Sequence, residues 1–301
     1  MYTVMGITGQ VGGATARTLL AAGKSVRAVV RDKQKAAYWA TLGVELVLGD
    51  ANDPASLKRA FAGSDGIFVM VPPHFAPKPG YPEARAAIAA QMEAALAARP
   101  GKIVALSSVG GHRFSGLGLI TQVRLLEEAL ALLGDIPTAV LRPAWFMENS
   151  QWDIAPALDT GVMPSFLQPL DRLYPMVATD DIGRTAARVL QENWQGQRII
   201  EIEGPRRYSQ QDIAGLLGAA VGRKVEAVPV PNEEWLATFQ AQGIDWPKPR
   251  IEMLDGFNSG WIDFEAAGTH ERIIGEKSFE AVLAELLERA VAATIDTAGA
   301  Y

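Results

Sequence analysis

The sequence contains no cysteine, which excludes disulfides, thiolate metal centres, iron–sulfur clusters and thiol nucleophiles. That composition fits a reducing compartment, and a cytoplasmic location is the expectation. Only three histidines occur, His74, His112 and His270, far apart in the chain. They form no HExxH-like spacing, so no metal site is expected. No apolar run approaches the ~20 residues of a membrane span. The alanine-rich stretch 83–99 is interrupted by Glu83, Arg85, Glu93 and Arg99. The first residues lack a basic stretch followed by an apolar one, so no secretory signal is expected. Basic runs are missing as well. With 28 Lys+Arg against 34 Asp+Glu and a net charge of −6, neither nucleic acid nor a membrane is an expected partner.

What remains is an ordinary globular composition: 301 residues, 49% hydrophobic and 21% charged, long enough to bury a large core unaided. In the first half, short apolar runs alternate with helical stretches. Residues 2–7, 26–30, 44–48, 67–71, 102–106 and 138–142 predict strands. Residues 12–22, 33–41, 54–62, 82–99 and 121–133 predict helices. Asp53-Pro54 supplies an N-cap and a first-turn proline for the third of these. The strands are nearly continuous apolar runs, the pattern of a parallel sheet covered on both faces. The expected fold is therefore α/β, a doubly wound Rossmann-type sheet with its ligand crevice at the carboxyl ends of the strands. After Pro143 prolines and aromatics become common. Helices are predicted at 180–193, 208–221 (with Ser209 as cap), 232–241 and 278–293, and strands at 198–203 and 224–228. Residues 1–150 plus 176–203 read as the sheet domain. Residues 151–175 plus 204–301 read as a smaller C-terminal α+β lobe over the strand ends.

The strongest local signal is Gly6-Ile7-Thr8-Gly9-Gln10-Val11-Gly12, at the end of the first strand and the start of the first helix. Gly6 suits a tight turn, Gly9 a close backbone approach to a pyrophosphate, and Gly12 close helix–strand packing. The helix N-terminus offers free N–H groups to phosphates. No lysine follows, so this is not a Walker A loop. The spacing is GxxGxxG rather than GxGxxG, but the strand–turn–helix context favours dinucleotide binding over a merely structural turn. Thr8, Gln10 and Val11 belong to the same contact surface. At the end of the second strand stands Arg31, where an acidic residue would hold the ribose hydroxyl of NAD. An arginine suits the additional phosphate of NADP(H), with Lys35 as a second cation. NADP(H) is thus expected in preference to NAD(H). The alternatives are that Arg31 and Lys35 are solvated surface charges, or that Asp32 serves the ribose. Other strand ends add Asp50 near the adenine, Val71 and Pro72 below the ribose, Ser107 and Ser108 on the nicotinamide side, and Pro143. Simple turn chemistry is the competing account of each.

These segments, together with Val29-Val30-Arg31-Asp32, Ser107-Ser108-Val109, Leu141-Arg142-Pro143-Ala144-Trp145-Phe146-Met147-Glu148-Asn149 and Ala178-Thr179-Asp180-Asp181-Ile182-Gly183, resemble the NmrA-like family of atypical short-chain dehydrogenases/reductases. The pattern is similar to that of its NADPH-dependent quinone reductases. The resemblance covers roughly residues 1–230 and implies an NAD(P)-binding Rossmann core with a small substrate lobe. The group includes both reductases and non-catalytic dinucleotide binders.

Short-chain reductases usually carry Tyr-x-x-x-Lys on the helix after the fifth strand, the tyrosine donating a proton. Here no tyrosine lies on that helix, and no lysine occurs between Lys102 and Lys224. The lysine-based arrangement of isoflavone-reductase relatives is excluded for the same reason. Arg124 is the one residue of that helix suited to a cofactor or substrate oxygen, unless it pairs with Glu127 or Glu128. His112 is the other candidate proton donor, unless it is simply solvated. Ser107 or Ser108 can hydrogen-bond a carbonyl, without an evident activating base. A quinone demands less of the protein than a ketone does, since its reduced form is stabilised by conjugation and takes protons from water. Two readings follow. One is an NADPH-dependent reductase of a quinone or conjugated carbonyl, with Phe146, Asn149 and Trp152 covering the acceptor. The other is a non-catalytic NADP(H)-sensing protein whose lobe binds a protein partner.

Overall fold

A computed structural model describes residues 1–298, with side chains as far as Ala290. In chain order the elements of the first half are β1 (Tyr2–Met5), α1 (Gln10–Ala21), β2 (Val26–Val30), α2 (Ala37–Thr41), β3 (Glu45–Leu48), α3 (Pro54–Phe61), β4 (Gly66–Met70), α4 (Pro82–Ala98), β5 (Ile103–Leu106), α5 (Thr121–Leu130) and β6 (Thr138–Pro143). There follow β7 (Trp145–Phe146), α6 (Gln151–Thr160), β8 (Val162–Ser165), β9 (Met176–Val177), α7 (Thr179–Gln191), β10 (Gln197–Glu203), α8 (Gln210–Val221), β11 (Glu226–Pro229), α9 (Trp235–Ala241), α10 (Lys248–Ser259), β12 (Glu271–Ile274) and α11 (Phe279–Ala298).

Eight strands form one parallel sheet in the order β12-β10-β6-β5-β4-β1-β2-β3. The order reverses between β1 and β4, the switch point at which a doubly wound sheet opens a crevice. The alternation of side chains along each strand builds two cores. Val4, Ala28, Phe68, Val104 and Leu141 meet Val11, Leu19 and Ile182 of α1 and α7. Their neighbours Met5, Val29, Ile67, Val69 and Val140 meet Leu57, Ile88 and Leu126 of α3, α4 and α5. Burial on both faces is why the strands read as continuous apolar runs. Two predicted caps are present. Asp53 accepts from Ala55 N at the start of α3, and Ser209 forms a capping box with Asp212 at α8.

A third core belongs to the C-terminal part, where Met163, Tyr174, Tyr208, Leu217, Trp235, Phe239, Phe257 and Phe279 pack together. It carries a two-stranded parallel sheet, β8 with β11. Besides the two-residue strands β7 and β9, four elements there depart from the sequence reading. Helices α6 and α10 and strand β8 were not predicted, and Glu271–Ile274, expected in the lobe, is an edge strand of the main sheet. All four are short or polar. α6 contains Pro156, and β12 reads Glu-Arg-Ile-Ile with exposed ends, so neither shows a clean period. Among the described residues no helix is long and apolar enough to cross a membrane.

Candidate functional site

The glycine turn is built for close approach. Gly6 adopts φ +68°, which favours glycine, and its carbonyl accepts from Gly9 N at 2.9 Å. A side chain at Gly12 would overlap the Gly6 carbonyl and come within 2.7 Å of Met5 O, so α1 reaches its position only because Gly12 has none. Thr8, Gly9 and Gln10 are exposed, while Val11 and Gly12 are buried beneath them. Gly9 is the N-cap and supplies no side-chain cap, and the first turn contains no acid. The end of α1 therefore presents uncapped N–H groups and a partial positive charge to solvent.

The other sequence-selected residues line up beside this turn, because parallel pairing puts the carboxyl ends of β1 to β6 on one rim. Arg31 follows β2 and is exposed, with no hydrogen bond, ion pair or ring contact among the described residues. Lys35 is exposed as well, and its ammonium is likewise unpaired. Asp32 is occupied: its Oδ1 accepts from Gln34 N at 2.8 Å and from Lys35 N at 3.4 Å. The local competition thus leaves Arg31 free and turns Asp32 into loop chemistry. Asp50 is similarly committed, accepting from Asn52 N at 2.8 Å and Asn52 Nδ2 at 3.0 Å. Val71 is buried and Pro72 half-buried after β4, Ser108 is half-buried after β5, and Pro143 closes β6.

Ser107 is a correction. Its hydroxyl is buried and donates to Glu127 of α5, so it has no proton left for a carbonyl oxygen. Glu127 is also buried, and Arg142 of β6 holds it in bidentate fashion, Nε to Oε1 at 3.0 Å and Nη2 to Oε2 at 2.7 Å. Arg142 reaches on to Glu265 at 3.0 Å, which takes a 2.6 Å contact from His270 Nε2. One strand further, Glu201 of β10 accepts from Arg272 of β12 at 2.6 Å and 3.0 Å. A chain of alternating charges thus crosses the ends of β5, β6, β10 and β12. Arg124 is absorbed into its edge, 3.8 Å from Glu127, 3.3 Å from Glu128, and donating to Gly111 O at 3.2 Å. The ion-pair alternative describes Arg124. His112 lies against the same cluster, with a buried Nδ1 that has no hydrogen-bond partner. Burial holds its imidazole below the ordinary value; Glu265 opposes this, and Arg113 and Arg142 add to it. At neutral pH it is an uncharged ring and not a ready acid.

Sequence reasoning named Arg142 and Glu148 only as part of a resemblance, and missed Glu201, Glu265 and Arg272. The available signal was a charge within an apolar strand, which cannot be buried without a partner. Glu148 has a defined task. Its carboxylate accepts from Thr179 N at 2.8 and 3.1 Å and from Thr179 Oγ1 at 2.6 Å, capping α7 from outside the helix. Around it, Phe146 packs on the α1/α7 face of the sheet, whereas Trp145 stacks edge-on against Phe257 of the lobe at 5.1 Å. Asn149 is exposed, and Trp152 is 76% exposed on α6. The structure therefore does not gather Phe146, Asn149 and Trp152 into one enclosed pocket. It does gather Thr8, Gly9 and Gln10 with Glu148, Thr179 and Asp180, in a polar cleft of about 240 Å³.

With this geometry in place, the likenesses to known proteins are informative. The NmrA-like family matches residues 2–106, from β1 to the end of β5. This region is NmrA-like. Over longer stretches the chain is 27% identical to an NAD(P)H azoreductase of Xenophilus azovorans across 245 residues, 81% of this chain and 82% of that one. It is 25% identical to quinone oxidoreductase 2 of Escherichia coli across 281 residues, 91% of this chain and 94% of the other. The same architecture recurs in solved structures. The NADPH-dependent quinone oxidoreductase of Escherichia coli, complexed with NADPH, superposes with a TM-score of 0.77 at 21% identity, covering 95% of this chain and 100% of that one. The triphenylmethane reductase of Citrobacter sp. superposes at 0.75 with 22% identity, covering 95% and 99%.

Proposed function

We propose that this protein is an NAD(P)H-dependent oxidoreductase that prefers NADPH and reduces a quinone or similar conjugated carbonyl. The observation that carries the reading is the pairing of an uncapped glycine turn at α1 with an unpartnered Arg31 at the next strand end. The exposed backbone of Gly9 and Gln10 at the start of α1 fits a diphosphate, and Arg31 with Lys35 suits a 2′-phosphate. The relatives named above, reductases of azo compounds and quinones, support the same chemistry.

When bound, the nicotinamide supplies the hydride. The chain's own part is to hold and orient. Gln10 and Val11 present backbone N–H groups, Val71 and Pro72 form an apolar wall, and Ser108 has a hydroxyl that no neighbour claims. Ser107, Glu127 and Arg142 brace the wall behind Ser108 and exchange no proton with an acceptor. α5 carries neither tyrosine nor lysine, so protons reach the reduced acceptor from water. That suits an acceptor whose reduced oxygens are weak bases and does not suit a simple ketone.

The bare α5 also favours a second reading, a dinucleotide-sensing protein without turnover. Oxidation of NADPH, followed by its near-ultraviolet absorbance against a quinone panel with NADH in parallel, separates the two. Steady acceptor-dependent loss is expected. Arg31→Ala should raise the Kd for NADPH about tenfold to a hundredfold, the weight of a charge-assisted phosphate contact, and leave NADH within about twofold. Tight binding without turnover across the panel would establish the sensor instead. Equal loss for both cofactors would remove Arg31 from the phosphate.

A further inference from the structure

The cleft at the glycine turn has a second wall that no strand end supplies. Its floor is Thr8, Gly9 and Gln10, and its far side is the C-terminal helix α11, through Glu285 and Arg289. Arg17 of α1 completes it, folded back along its own helix so that Nη1 lies 3.3 Å from where a side chain on Gly13 would begin.

The charges around this cleft are unevenly paired. Lys277 sits 2.6 Å from Asp180 and 2.6 Å from Glu285, and so neutralises most of what either acid offers. Arg17 is left with a loose 3.4 Å approach to Asp180, and Arg289 with one of 3.7 Å to Glu285. Both guanidiniums stay more than half exposed. Glu148, the remaining acid, is spent on capping α7. Burial pushes its carboxyl up, against the lowering hydrogen bonds of Thr179. Arg17 and Arg289 therefore keep only these loose pairs, beside the uncapped N–H groups of α1.

We infer that Arg17 and Arg289 form a phosphate subsite between the glycine turn and α11. The C-terminal helix is then part of the dinucleotide machinery rather than only a cover for the lobe. This rests in part on the proposed function. Two sources present the required chemistry: the diphosphate bridge of the bound dinucleotide, and a separate inorganic phosphate or pyrophosphate. The geometry favours the first, because the same three turn residues form the floor of the cleft and the end of α1.

Arg289 is exposed and makes one loose pair, so Arg289→Glu leaves the fold intact, which its thermal unfolding would verify. Titration of the full chain, read by tryptophan fluorescence, should show NADPH and NADH weakened by the same factor, about tenfold or more. Arg17→Gln should act in the same direction, and Arg31→Ala should spare NADH. Pyrophosphate alone should compete with NADH in the unmodified protein and bind less well to Arg289→Glu. If pyrophosphate binding falls while both dinucleotides are unaffected, the subsite holds and its ligand is the separate anion. If neither dinucleotide nor pyrophosphate responds to Arg289→Glu, the subsite is disproved. A protein that binds no dinucleotide would defeat the proposed function, and the pyrophosphate titration would still decide the cleft.

Discussion

Buried charge behaves in two ways in this molecule. Glu127, Arg142 and Glu201 are almost inaccessible, yet each is met by an opposite charge with good geometry. Such pairs survive burial because removing one partner strands the other, at about 3–5 kcal/mol. Asp153, in the first turn of α6, has no cation. It has a hydrogen bond with Ser150, while burial pushes its carboxyl from an ordinary 3.8 to about 7. A carboxyl whose folded value is raised favours the fold while protonated. Its contribution is complete below about pH 4 and is lost as pH climbs through about 7. The full difference corresponds to at most about 4 kcal/mol, and partial contact with solvent reduces it. Asp153→Asn keeps the shape and removes the charge. It should stabilise the protein by about 1–2 kcal/mol at pH 8 and make no difference at pH 4, read by urea unfolding at both. A gain independent of pH would refute the account.

Elements here are set by short signals acting at their ends. The glycine turn, Asp53-Pro54 and Ser209 are local and were legible, because each stabilises its own backbone. The strands of the main sheet were legible for a different reason: burial on both faces leaves an apolar run. Glu148 could not be read that way. Its partner, Thr179, lies 31 residues on, and the pairing of β7 with β9 is what brings the two together. The charge chain through Arg142, Glu201 and Arg272 was hidden likewise, since strand order, not sequence order, makes those residues neighbours. The same logic gives a prediction for α7. Its N-cap residue, Ala178, has no side-chain bond, so Glu148 alone satisfies Thr179 N. Glu148→Ala should cost about 1–2 kcal/mol, the usual loss of a cap. Hydrogen exchange should quicken at Thr179 to Ile182 well before the rest of α7, and Glu148→Gln should restore part of the protection. Uniform exchange across α7 would mean the cap is not local.

The whole molecule is closed by its end rather than by its middle. β12 is the last strand of the eight, yet it covers the edge of β10 and brings Arg272 to Glu201. α11 then carries Phe279, Val282, Leu283 and Leu286 into the third core, while Lys277 just ahead of it binds Asp180 at the start of α7. The C-terminal segment therefore touches both the sheet and the lobe, and neither is complete without it. A chain ending at residue 270 would strand Glu201, at about 3–5 kcal/mol. It would also lose four buried apolar side chains, at about 1.5–3 kcal/mol each. Against a total stability of about 5–15 kcal/mol, little or no folded margin remains. Such a truncation should show no cooperative thermal transition by circular dichroism, even though residues 2–106, the NmrA-like region, are all retained. A cooperative transition in that fragment would mean that the sheet stands without its eighth strand. The dinucleotide end and the lobe would then be separable units, and α11 would be an accessory to the cleft instead of a structural closure.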